Sequence, residues 1–195
     1  MIVNQNIPIQ EPRPTLAMQP KKFALWLFMV SIVMLFAALT SAYIVKQSDG
    51  NWLTIAMPGM FMASTVIILL SSGTLHMAYL AAKKDEFGRL RIMIAVTLAL
   101  GLAFLYTQYL AWSELVANNV FFVSNYASGS FIYVFTGLHG AHIISGIIYL
   151  LLTLWSAIKL NVHSRKLLQM EMCMTYWHFL GGLWIYLYVF LLLNS

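Results

Sequence analysis

Charge is scarce in this chain of 195 residues: Asp, Glu, Lys and Arg together make up 9% of it, while 61% is hydrophobic. A soluble domain carries about a quarter charged residues, so a water-exposed globule is excluded. Cysteine is nearly absent. The one residue, Cys173, rules out an internal disulfide and a thiolate zinc or iron–sulfur site. Proline is confined to the opening stretch (Pro8, Pro12, Pro14, Pro20) and to Pro58. The stretch lacks the apolar core of a signal peptide, so residues 1–21 read as a flexible cytoplasmic tail, ahead of a membrane domain over residues 22–195. Carboxylates are missing from the middle of every apolar run. Glu11, Asp49, Asp85, Glu86 and Glu114 fall in the tail or in connections, and Glu171 stands at the mouth of the last run. That argues against a proton relay or ion-coupled site built on Asp or Glu within this chain alone.

What is present are five apolar runs, over about residues 23–45, 58–82, 90–112, 131–158 and 172–193. Each has about 20 or more residues, enough to cross a ~30 Å hydrocarbon layer as a helix. Pro58 suits the first turn of the second, where its missing N–H costs nothing. The expected architecture is all-α: a polytopic membrane bundle of five transmembrane helices. With five spans, ten of the eleven Lys and Arg fall on one side, and only Lys46 on the other. The positive-inside rule then puts the N-terminus in the cytoplasm and the C-terminus outside. The net charge of +5 thus reflects topology, not a nucleic-acid partner.

Histidines are the ionisable groups left inside the spans: His76, His139, His142 and His178. His76 and His178 lie at similar depth on their helices, each roughly 9 Å from the same membrane side, which admits axial ligation of a b-type haem. The plainer reading gives each a backbone carbonyl, a lipid headgroup or a neighbouring subunit. His139 and His142 share a face of the fourth span, but no third metal ligand of suitable depth accompanies them. On another face of that span Gly137, Ala141 and Ser145 recur every four residues, a strip suited to close helix or subunit packing. Trp52, Tyr126, Tyr176 and Trp177 are placed to anchor at the interfaces. Glu171 and His178, seven apart, share one face; with Trp177 and the nearby Arg165 and Lys166 they form a candidate phospholipid headgroup site.

The fourth and fifth spans also carry a resemblance. Thr136-Gly137-Leu138-His139-Gly140-Ala141-His142 through Gly146 resembles the T-G-x-H-G-x-H signature of subunit III of haem-copper oxidases. Tyr176-Trp177-His178-Phe179 with Trp184 is similar to that family's Y-W-H-F segment, preceded by Glu171, and Gln108 falls where the family has a glutamine. The similarity runs over about residues 22–193 and matches the short, five-helix bacterial form. Three departures stand out: Ile32, Ala111 and Gly181 occupy positions where the family carries carboxylates. The resemblance implies a non-redox subunit of the bacterial cytoplasmic membrane. It would pack on subunit I beside subunit II, bind phospholipid, and sustain turnover and proton uptake. Haem and copper would reside in subunits I and II, with no cofactor or metal on this chain and no catalytic residue. Cytochrome c and quinol both remain open as electron donor, and so does membership of a respiratory supercomplex.

Overall fold

The computed structural model describes residues 19–48, 52, 55, 57–123, 127–159 and 167–194. They form five helices: α1 (Pro20–Gln47), α2 (Gly59–Lys83), α3 (Phe87–Ala117), α4 (Ala127–Ile158) and α5 (Leu168–Leu193). All five are long and apolar enough to cross a membrane. No strand occurs among the described residues. The helices have 25 to 32 residues, or roughly 37–48 Å at 1.5 Å per residue, so their ends project beyond a ~30 Å hydrocarbon layer.

α3 continues five residues past the expected end at Trp112. Ser113 to Ala117 carry no helix breaker, and the polar connection shrinks accordingly. The stop is a Schellman closure: the Val120 amide donates to the Leu115 carbonyl (2.9 Å) and the Asn119 amide to that of Val116 (3.0 Å). Asn119 takes the left-handed conformation this requires, at φ 60°. The end of α2 repeats the device, with Glu86 N–H on the Ala81 carbonyl and Asp85 at φ 56°. At the close of α4 the carbonyls of Ala157 and Ile158 accept from the Arg91 guanidinium of α3 (3.3 and 3.2 Å).

α2, α3, α4 and α5 pack in a closed ring, each against the next, and α1 lies outside it in the groove between α4 and α5. Met29, Ile32, Phe36, Thr40 and Tyr43 form the single buried stripe of α1, at the three- and four-residue spacing of one helix face. α1 is fastened at both ends. Lys22 Nζ donates to Glu171 Oε2 on α5 (2.7 Å). At the far end the Tyr43 ring meets Trp52, Phe131, Phe135 and Phe190, and its hydroxyl donates to the Asn194 carbonyl (3.1 Å).

The ring closes on one indole. Trp177 of α5 is fully buried. Its Nε1–H donates to Ser71 Oγ of α2 (3.0 Å). Gly101 of α3 and Gly146 of α4 border the plate, and a Cβ on them would stand 2.8 Å and 3.2 Å from its atoms. Trp184, two turns on, repeats the contact: its Nε1–H donates to Thr65 Oγ1 (3.0 Å), and its ring meets Phe61, Phe104 and His139. This overturns two expectations. Trp177 and Tyr176 are buried in the bundle, not set at an interface, and Tyr176 Oη lies 2.7 Å from Ser145 Oγ. Trp52 is half-buried against Tyr43, and Tyr126 lies outside the described residues.

Gly101→Ala is expected to cost about 1–3 kcal/mol, the range for overpacking a filled core. Gly73→Ala, where nothing lies within 4 Å of an added Cβ, is expected to be neutral or slightly stabilising through helix propensity. Denaturation of the two variants in detergent measures the difference.

Candidate functional site

α5 begins at Leu168, and Glu171 is the acidic residue of its first turn, where the helix dipole favours a negative charge. Its two oxygens face two helices. Oε2 accepts from Lys22 of α1 (2.7 Å), and Oε1 accepts at longer range from the Tyr79 hydroxyl of α2 (3.5 Å). Beside this carboxylate runs a groove of about 340 Å³ lined by Lys22, Leu25, Trp26, Tyr79, Glu171 and Met174, among others. It joins one cation and one anion at its polar rim to an apolar flank. That arrangement complements a zwitterionic headgroup with its acyl chains.

His178 lies on the exposed side of α5, its Nδ1 2.8 Å from the Met174 carbonyl. A carbonyl oxygen only accepts, so Nδ1 carries the proton and Nε2 is left for another partner. The ring faces His76 of α2, centroid to centroid 6.4 Å, and His76 in turn meets Tyr79. Glu171, Tyr79, His76 and His178 therefore form a connected line along the α2–α5 seam. Trp177 does not belong to it. Successive helical residues point about 100° apart, so with His178 outward Trp177 is inward, buried and with its N–H committed to Ser71, away from the groove beside Glu171. Arg165 and Lys166 lie outside the described residues. Lys22, Trp26 and Tyr79 line the groove with Glu171. No motif in the sequence marks them, because only the docking of α1 and α2 on α5 brings them to Glu171.

The His76–His178 pair does not fit a haem. Both rings are on the outer surface, and the seam beneath them is shut by the Ser71–Trp177 bond and by Gly181, whose added Cβ would lie 3.3 Å from Ser72 Oγ. A tetrapyrrole needs a slot with apolar walls on both faces. His139 and His142 also gather no ligand set. His139 is fully buried, with edge contacts to Phe36 and Phe104 and a tilted one to Trp184. Neither of its nitrogens has a hydrogen-bond partner among the described residues. His142 Nδ1 bonds the Leu138 carbonyl (2.7 Å). No cluster of three or more His, Cys, Asp or Glu side chains able to hold a metal occurs among the described residues.

The strip on α4 is divided. Ser145 is tied to Tyr176, but Gly137 and Ala141 line an apolar groove of about 300 Å³ on the α3–α4 face, with only Trp112 within 4 Å of an added Cβ at Gly137. They do not close a helix pair in this chain. Gly101 and Gly146 do.

The three departures from the carboxylate pattern are interior. Ile32 and Ala111 are buried, and Gly181 is packed against α2. The sequence profile of the family described as "Cytochrome c oxidase subunit III" matches residues 13–195. Among curated relatives, the cytochrome bo(3) ubiquinol oxidase subunit 3 of Buchnera aphidicola subsp. Schizaphis graminum is 27% identical over 180 residues, covering 90% of this chain and 94% of the relative. Cytochrome c oxidase subunit 3 of Alkalihalophilus pseudofirmus is 27% identical over 190 residues, covering 95% and 92%. That of Thermostichus vulcanus is 29% identical over 178 residues, covering 86% and 84%.

The inward and outward assignment of neighbouring residues has a direct check. Trp177→Ala is expected to cost about 3–5 kcal/mol, as for a fully buried aromatic, whereas His178→Ala should stay within about 0.5 kcal/mol. Comparable losses in the two variants, measured by unfolding in detergent, would contradict the placement.

Proposed function

The chain belongs to the cytochrome c oxidase subunit III family, and from that premise we propose that it is the non-redox, lipid-binding subunit of a proton-pumping haem-copper oxidase. It is a multi-pass component of a multi-subunit oxidase. In this reading it packs on subunit I, near subunit II, in a bacterial cytoplasmic membrane, and sustains turnover and proton uptake. Haem and copper lie in the partner subunits. Lys22, Lys83, Lys84, Arg89, Arg91 and Lys159 gather at one end of the bundle and Lys46 at the other, which supports a cytoplasmic N-terminus and an external C-terminus. Gly137 and Ala141, uncovered within this chain, are the strip offered to a neighbouring subunit.

The observation that carries the reading is the groove beside Glu171. A phosphodiester set at Lys22 and an ammonium at Glu171 would each meet the opposite charge, with acyl chains along Leu25, Trp26 and Met174. A bracing role is supported by the interior, where Ile32, Ala111 and Gly181 are packed and no carboxylate is buried among the described residues. Subunits from a ubiquinol oxidase and from cytochrome c oxidases match at 27–29% identity, as expected if the electron donor is met by another subunit.

Glu171→Gln should reduce the phospholipid that co-purifies with the oxidase and hasten its loss of activity during turnover, with the initial rate of oxygen consumption close to that of wild type. His178→Ala should act in the same direction more weakly. Unchanged lipid content and working lifetime in both variants would remove the proposal. A Soret band from the chain purified without its partners would replace it with the b-haem reading.

A further inference from the structure

We propose that the hairpin between α2 and α3 holds a separate site for an anionic glycerophospholipid, bound through its phosphodiester at Lys84. Beside the turn lies a groove of about 240 Å³, lined by Met77, Leu80, Lys84, Glu86, Arg89 and Met93, among others. Its two ends differ in chemistry. Met77 lies seven residues before Lys84 and Met93 six after Phe87, so the apolar walls reach roughly 10 Å into the span. Lys84 and Arg89 stand at the mouth. A free anion would use the mouth alone; only an amphiphile uses the whole groove.

The charges select the headgroup. Arg89 Nη1 is paired with Glu86 Oε2 at 3.0 Å, and the Lys83 ammonium sits over the Tyr79 ring, 4.6 Å from its centroid. Lys84 is exposed, and no carboxylate among the described residues is within ion-pair distance of it. The N-cap residue of α3 is Glu86, and its carboxylate is engaged by Arg89, which leaves Lys84 as the cation at the mouth that a phosphodiester can meet. The turn is held by the closure at Asp85 and Glu86, so little backbone ordering is needed on binding. The site shares no lining residue with the groove beside Glu171 and does not rest on that assignment.

The test is native mass spectrometry of the intact oxidase titrated with phosphatidylglycerol and, separately, phosphatidylcholine. Wild type should prefer phosphatidylglycerol. Lys84→Gln should weaken that lipid about five-fold, the effect of one interfacial cation, and Lys84→Arg should restore it. Glu86→Gln, which frees Arg89, should tighten it. Glu171→Gln should leave this titration unaltered, which separates the two sites. Equal binding of both lipids to wild type, unaltered affinity in Lys84→Gln, or displacement by excess inorganic phosphate would each overturn the proposal.

Discussion

The bundle depends on the seat of the Trp177 indole. In water, helices associate to hide apolar surface. In a bilayer the surroundings are as apolar as the side chains, and association rests on close packing and on polar contacts that lipid cannot supply. Trp177 offers both. It is a large flat plate bordered by glycines of α3 and α4, with one polar atom bonded to α2. One side chain of α5 thereby joins every other member of the ring. Widening either glycine disturbs three helix contacts together.

The polar half of that contact is a repeated device. Ser64, Thr65, Ser71, Thr136 and Thr40 each donate a hydroxyl proton to a carbonyl of their own helix. Each then accepts across a seam, from Gln108, Trp184, Trp177, Trp112 and Tyr186 in turn. A hydroxyl used this way leaves neither its proton nor its partner's stranded, which matters where no water can substitute. Measured values for such interhelical bonds average about 0.6 kcal/mol, so they set register more than they add stability. The Gln108 amide is the partial exception: its Nε2 is bonded to Ser64, while its Oε1 has no partner among the described residues.

The same packing encloses the three positions at which the resemblance would place carboxylates. Ile32 is part of the buried stripe by which α1 docks, Ala111 is buried in α3, and Gly181 allows α2 to approach α5. A carboxylate at any of them would be enclosed and would need a partner. Among the described residues the Asp, Glu, Lys and Arg side chains are instead carried at or near the helix ends, and His139 is a fully buried histidine inside an aromatic enclosure.

Five spans, their order and the charge asymmetry of their connections were legible in the sequence, because hydropathy and Lys/Arg placement are properties of the chain that need no partner helix. The motif spacing in α4 and α5 identified the family for the same reason. The inward face of α5 was not legible: that helix is apolar all round, and in lipid an apolar residue is as much at home outside as inside, so Trp177 and His178 could not be sorted from the order of residues. Lys22 and Tyr79 reached Glu171, and Gly101 and Gly146 took precedence over Gly137 and Ala141, through the rotation and register of packed helices. Those are decided by side chains meeting across seams far apart in sequence, and only the tertiary structure brings them together.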